Sequence, residues 1–439
     1  MGVGLRLILA LVLGMSLVML LIMKTKIQAF PALLIAALFV GFISGMPTGE
    51  IISELTKGFG GTLSSIGIVI GLGVMMGKVL EVSGAAKKMS LSILNIVGEE
   101  KTELVLLISG WVVSIPVFCD SGFVILSELA KEFSRNTKKS MIALGCSLGI
   151  GLYLTHHLVP PTPGPLGVAG IVGADVGKLI LWGGLISIIA IPILVIYVKY
   201  ITKKFNPIIP DLSDEAKKFV SEQNNLPNAF LSFMPILIPV VLILVNTVSK
   251  SLGIEYSLIS TFGNPVVAVL IGLILSIYTL TTTVSKKDVI KTLENSLSDA
   301  GLILCITGAG GALGAILRVS GVGNHVANLI ASTSIPAILI PIIMPSLLKL
   351  SQGSGTVALI TSASILAPMM QGLGLSPIIT ALAVCSGGML ASFINDSFFW
   401  VVTKFSGMSV EVGTKAWTST TAVCGLICSV LVVILSFFI

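Results

Sequence analysis

Four short polar stretches interrupt an otherwise apolar chain: FCDSG at 118–122, THHLVPPTPGP at 155–165, QGSGT at 352–356 and FINDSFF at 393–399. Together they hold two carboxylates, Asp120 and Asp396, and two adjacent histidines, His156 and His157. They also hold Ser121, Thr155, Thr162, Gly164, Gln352, Gly353, Ser354, Gly355, Thr356, Asn395 and Ser397. Ser, Thr, Asn and Asp cap helix starts by accepting first-turn N–H groups, and proline is tolerated at a first helical position. Each stretch precedes an apolar run, so each reads as a helix start: Asp120 and Ser121, Thr162 before Pro163, Ser354 and Thr356, and Asn395 with Asp396 and Ser397. A helix start exposes unsatisfied N–H groups and the positive end of the dipole. Several aimed at one cavity form an anion site with little fixed charge, and a carboxylate is the ligand they would suit.

A carboxylate inside a membrane is costly and commonly lies on a transport pathway. Asp120 and Asp396 are therefore the leading candidates for substrate binding or ion coupling, against the plainer reading that they only cap their helices. Two ionised carboxylates would repel an incoming anion, and desolvation with mutual repulsion favours holding a proton there. This makes Asp120 and Asp396 the expected proton-coupling groups, with His156 secondary, although sodium could neutralise the same site. Adjacent helical residues diverge by about 100°, so one of His156 and His157 is expected to face the cavity and the other to pack. Lys349, three residues before QGSGT, could face a substrate carboxylate or serve as an ion-pair or capping partner.

The elements that would position these residues are set by composition. Of 439 residues, 54% are hydrophobic and 10% charged, and the mean hydropathy is +1.06; a chain like this needs lipid as its solvent. Apolar stretches near the ~20 residues of a spanning helix recur at 4–23, 27–46, 61–81, 139–174, 179–198, 228–248, 263–284, 299–317, 375–403 and 416–439. Those at 139–174 and 375–403 are too long for one straight span and carry polar interruptions. The first stretch ends in Lys24 and Lys26 without a small-residue cleavage site, so it reads as a retained helix. The six cysteines, Cys119, Cys146, Cys305, Cys385, Cys424 and Cys428, lack metal-site spacing and read as free packed thiols. No cofactor is expected. The net charge of +6 lies mainly in loops, an orientation signal and no sign of nucleic acid.

IGLGVMMGKVLEVSG at 70–84 and TGAGGALGAILRVSG at 307–321 share seven of fifteen positions at an offset of 237, among them Gly73/Gly310, Gly77/Gly314 and Gly84/Gly321. Chance pairing gives roughly one. At the same offset the basic run Lys131, Arg135, Lys138 and Lys139 meets the uncharged 368–376, which is what inverted halves predict. The positive-inside rule then puts nineteen of the 26 basic residues in the cytoplasm. It also requires 103–134 and 335–372 each to enter and leave on one side, as re-entrant hairpins. The expected fold is an all-α polytopic membrane protein of two inverted repeats, 1–200 and 228–439, joined by a cytoplasmic linker at 201–227. Each repeat would have about five transmembrane helices, one re-entrant hairpin and one broken helix. The repeated glycines read as close-packing surfaces, and Lys78 and Arg318 as side chains reaching to the membrane surfaces.

At IPVFCDSGFVIL (115–126), the TH, PP and PGP elements of 155–165, VAGIVGADVGK (168–178), QGSGTVALIT (352–361) and INDSFFWVV (394–402), the sequence resembles the gluconate permease family. These are bacterial organic-acid and proton symporters, and the resemblance runs from end to end. It implies the ion-transporter superfamily fold, a homodimer, elevator-like movement and a bacterial inner-membrane location. It also implies roles in the site for Asp120, Thr155, His156, Pro160, Pro161, Pro163, Gly164, Gln352, Gly353, Ser354, Thr356, Asn395, Asp396 and Ser397. Thr162 stands where the family often has His, and His157 where it often has Gly.

The expected activity is uptake of a small organic anion with a proton; a sodium-coupled organic acid carrier or a cation/proton antiporter of similar architecture is the alternative. An antiporter would use Asp120 and Asp396 but gain nothing from so many anion-favouring helix starts. A channel needs a continuous polar pore. An enzyme is disfavoured because no HExxH, GxSxG or Cys/His metal spacing occurs.

Overall fold

A computed structural model describes residues 3–25, 27–210, 226–254, 256–281, 286–322, 325, 336–352, 354–394 and 396–439. The described residues form helices and turns, without strands. The first half holds α1 (Val3–Met23), α2 (Ala29–Ser44), α3 (Thr48–Val82), α4 (Ala85–Val97), α5 (Thr102–Val113), α6 (Cys119–Thr137), α7 (Met141–Leu158), α8 (Pro163–Val172) and α9 (Val176–Thr202). The second holds α10 (Ala229–Ser251), α11 (Ser257–Phe262), α12 (Pro265–Leu280), α13 (Lys286–Val319), α14 (Ile340–Gln352), α15 (Gly355–Leu366), α16 (Pro377–Gly387), α17 (Ser397–Phe405) and α18 (Ser419–Leu435). Five described helical segments are long and apolar enough to cross a membrane, and a sixth if the two limbs of α3, bent by 48°, count as one. The surface fits lipid: Ile188, Ile189, Ile193 and Ile196 on α9 and Leu237, Val241 and Val245 on α10 are exposed. The surface helix expected near 212–222 lies outside the described residues.

The helix at the centre is α7, buried at every position from Met141 to Leu158. Its sequence is apolar all round, and such a helix is stable only inside a larger structure. It ends where Pro160, Pro161 and Pro163 follow, because proline lacks the N–H that continues a helix and disfavours helical geometry in the residue before it. Pro163 then opens α8 as its first residue.

The first hairpin, α5 and α6, has its base tied at one end. Lys139, just past α6, donates to Glu103 Oε2 in the first turn of α5 and to Glu100 O just before it, both at 2.7 Å. The chain thus leaves and returns at the same end. With twelve residues α5 rises about 18 Å, short of a hydrocarbon core of about 30 Å. α14 and α15, with 13 and 12 residues, are both as short as α5, whereas α6 runs for 19.

Element boundaries recur along the chain. α3, α5 and α6 start at 48, 102 and 119, and α13, α14 and α15 at 286, 340 and 355, spacings of 238, 238 and 236. Gly84 and Gly321, 237 residues apart, both adopt φ of 76°, a conformation other residues take only at a cost. Gly77 lets α3 approach the first hairpin loop, since a Cβ there would lie 2.1 Å from Pro116 O; at Gly314 on α13 it would lie 3.0 Å from Ser364 O of α15.

Candidate functional site

Both turn segments and both helix breaks meet around one small cavity. Its wall comprises Cys119 and Asp120 at the start of α6, Ser354, Gly355 and Thr356 at the start of α15, and Asp396, Ser397 and Phe398 at the start of α17. Tyr153, His156 and His157 from the end of α7 and Lys349 from α14 close it. Crosswise contacts join the two halves: α6 packs on α17 and α15 on α8, beside the contacts that each hairpin makes with the broken helix of its own half.

Lys349 and Asp396 are the strongest polar contact. Nζ donates to Asp396 Oδ2 at 2.7 Å, and Lys349 is 2% exposed. Asp396 also accepts from Ser392 Oγ at 2.5 Å and from the Phe398 N–H at 3.1 Å, the latter as the N-cap of α17. Ser392 Oγ in turn accepts from Trp417 Nε1 at 3.0 Å. A buried ion pair repays its desolvation only when its remaining lone pairs are bonded, and here they are. Asp120 differs: its neighbours are the Cys119 thiol at 3.5 Å and the Ser397 hydroxyl at 3.4 Å, both weak donors at that range.

Some expectations are revised. Asp120 does not cap α6: Phe118 holds the N-cap position, without a side-chain bond, and Asp120 lies in the first turn. Thr162 holds the N-cap position of α8 but donates to Val159 O at 2.7 Å instead of capping. Thr155 donates to Trp111 O at 2.7 Å. Ser121 turns to a separate crevice with Lys78 and Glu81, where Lys78 pairs with Glu81 at 3.0 Å instead of reaching to the surface alone. Gly164 is not among the cavity's lining residues; it is a close-packing point, where a Cβ would lie 3.1 Å from Leu359. The second break spans 388–396, because α16 ends at Gly387, earlier than the FINDSFF stretch suggests. Ser354 caps α15 through Val357 N at 3.4 Å. Gln352 closes α14; its side chain, with Gly353 and Asn395, lies outside the described residues.

Both histidines line the cavity, where the sequence suggests one would. Their ring centroids are 5.4 Å apart. They occupy the last turn of α7, and the cavity wraps the helix end, so the 100° divergence does not separate them. Sequence reasoning left Lys349 open and passed over Tyr153, Ser392 and Trp417. Tyr153 packs edge-on to Trp417, stacks on Phe398 and lies 5.8 Å beneath Lys349 Nζ. Lys349 had a signal, a charge inside an apolar segment; the aromatic residues had none.

Comparison with known proteins gives one family. The sequence pattern of the GntP family permeases matches residues 6–438. The chain is 42% identical over 95% of its length to an uncharacterized permease of Haemophilus influenzae, covering 89% of that protein. It is 32% identical to a gluconate permease of Pseudomonas aeruginosa, over 95% of this chain and 94% of that one. The D-serine transporter DsdX of Escherichia coli is also 32% identical, over 98% of each. Among solved structures, the YdaH transporter of Alcanivorax borkumensis has a TM-score of 0.70 at 15% identity, covering 93% of this chain and 98% of that one; this is a likeness of fold. The relatives are permeases and transporters, as the absence of enzyme motifs led us to expect.

Proposed function

This multi-pass membrane protein belongs to the GntP family of permeases, and we propose that it carries a small organic anion, gluconate or a related sugar or hydroxy acid, together with a proton. The observation that carries this reading is the meeting of three helix starts, α6, α15 and α17, with Lys349 around one cavity. N–H groups and positive dipole ends converging there suit a carboxylate. The relatives named for gluconate and D-serine also handle small carboxylates.

The coupling follows from charge. Lys349 and Asp396 neutralise each other, so the pair contributes no net charge to the cavity. Asp120 has no ion-pair partner among the described residues, and its charge is the one an incoming anion meets. A proton on Asp120 removes that repulsion, so anion and proton enter together. His156, which also lines the cavity, is a second group able to hold or pass the proton. Asp396, with three donors on its carboxylate, acts in this reading as the positioning member.

We read the chain as two inverted repeats, 1–200 and 228–439, joined by 201–227. The recurring boundaries, the matched Gly84 and Gly321 and the crosswise contacts of α6 with α17 and of α15 with α8 support this. Elevator-like movement of a homodimer in a bacterial inner membrane completes the proposal. Counterflow tests it: proteoliposomes loaded with one unlabelled hydroxy acid should concentrate the same labelled acid from outside. Counterflow driven by cations and by no carboxylate would contradict it.

A further inference from the structure

α3 and α13 run antiparallel: a Cβ on Gly58 would lie 2.5 Å from Gly311 O, and one on Gly67 would lie 3.6 Å from Leu304. The segments that hold the anion site sit unevenly along this pair. On α3, Gly77 abuts Pro116 O in the first hairpin loop, and a Cβ on Gly73 would lie 3.4 Å from Pro161 O in the first break. Hairpin loop and break therefore both stand at the Gly77 end. At the repeat offset of 237 the equivalents of Gly77 and Pro116 are Gly314 and position 353. Gly314 abuts Ser364 O instead, eleven residues further along the second hairpin, or about 16 Å at 1.5 Å per residue. The two halves thus differ by a sliding step, and exchanging their contacts would bring the start of α15 to the Gly314 end.

The two ends differ in charge. At the first, Phe118 and Ser121, which flank Cys119 and Asp120, share a tight crevice of about 20 Å³ with Gly77, Lys78 and Glu81, and Lys78 pairs with Glu81 at 3.0 Å. The equivalents of Gly77, Lys78 and Glu81 are Gly314, Ala315 and Arg318. These line a wider crevice of about 330 Å³, together with Glu54 and Lys57. Lys57 is held by Glu54 at 2.8 Å, whereas Arg318 has no ion-pair partner among the described residues. Its crevice lies on the face that the positive-inside rule assigns to the outside. A guanidinium offers a carboxylate two parallel hydrogen bonds. We propose that Arg318 is a docking residue for the substrate carboxylate that acts from the outer face only. It holds the anion in the outer crevice and passes it to the start of α15 when the site stands at that end. At the inner end Glu81 occupies the equivalent position and neutralises Lys78, so no free cation retains the anion there. This rests on the anion-carrier and inverted-repeat readings above.

The test is initial-rate uptake of labelled gluconate and labelled glycerate into right-side-out and inside-out vesicles, which present the outer and the inner face in turn. Arg318→Gln should raise the KM at the outer face about tenfold, equivalent to about 1.4 kcal/mol. Its Vmax, and its KM at the inner face, should stay within twofold of wild type. Arg318→Lys, which keeps the charge and loses the fork, should recover most of the outer affinity. Each variant is first checked as a monodisperse peak, and Arg318→Ala makes the same test if the Gln variant is not recovered. An unchanged outer KM in the Gln or Ala variant, an equal rise at both faces, or a fall in Vmax at constant KM overturns the inference and leaves the anion reading standing. A wild type that carries neither acid overturns the anion reading, and this inference falls with it.

Discussion

Lys349, on the second hairpin, and Asp396, at the second helix break, hold each other at 2.7 Å inside the protein. The bond joins two segments that must separate, or move as one, when the site opens. Lys349→Met would leave Asp396 buried without a countercharge, and removing one partner of such a pair costs about 3–5 kcal/mol. A large fall in thermal stability in detergent is expected, with loss of transport. The double variant Lys349→Met, Asp396→Asn should recover most of the stability and none of the transport. Full stability in Lys349→Met alone would show that the pair does not hold the site.

Ser354 and Thr356 bring hydroxyls to the start of α15. Ser354 caps it and Thr356 lines the cavity. Alanine at either should raise the apparent KM about tenfold, since a hydrogen bond to a charged group is worth about 1.5–3 kcal/mol. Initial-rate uptake checks this, and wild-type KM in the double alanine variant would remove this helix start from the anion site.

Cys119 lies on the cavity wall beside Asp120 and is buried, as are Cys424 and Cys428 in α18. Only Cys119 is on the proposed path. A small hydrophilic thiol reagent should inactivate uptake through Cys119 slowly, as the site opens, and substrate should protect it. Mass-spectrometric labelling that is equally protected at all three sites would detach Cys119 from the substrate.

Gly77 is where α3 and the first hairpin loop touch, with Pro116 O in the space a Cβ would take. Gly77→Val should push that loop, and Asp120 behind it, out of place. Expression is expected to fall, and surviving protein should transport at a tenth of wild type or less. Gly71→Val is the control: nothing lies within 4 Å of a Cβ at that position, and its activity should stay within twofold of wild type.

The four polar interruptions were legible because irregular backbone at membrane depth survives only inside protein or around a watery cavity. That reasoning brought Asp120, His156, Ser354, Thr356, Asp396 and Ser397 forward, and the structure brings them together. Ser121 separates from Asp120 because the next residue on a helix points about 100° away. The same rule misled for His156 and His157, since it takes no account of a cavity that wraps a helix end. The partnership of Lys349 with Asp396 spans 47 positions and depends on how two non-adjacent segments dock, which local pattern does not encode. The early end of α16 did have a signal, Gly387 followed by Gly388, eclipsed by the more polar residues further on.

Gradient-driven uptake into proteoliposomes, wild type beside Asp120→Asn, tests the central claim most directly. With a labelled hydroxy acid outside, the wild type should accumulate it when the exterior is made acid and should not respond to a sodium gradient at constant pH. Asp120→Asn should lose accumulation driven by the proton gradient and keep exchange of labelled for unlabelled acid. Uptake that demands sodium and ignores the proton gradient, or full proton-driven accumulation by Asp120→Asn, would contradict the account.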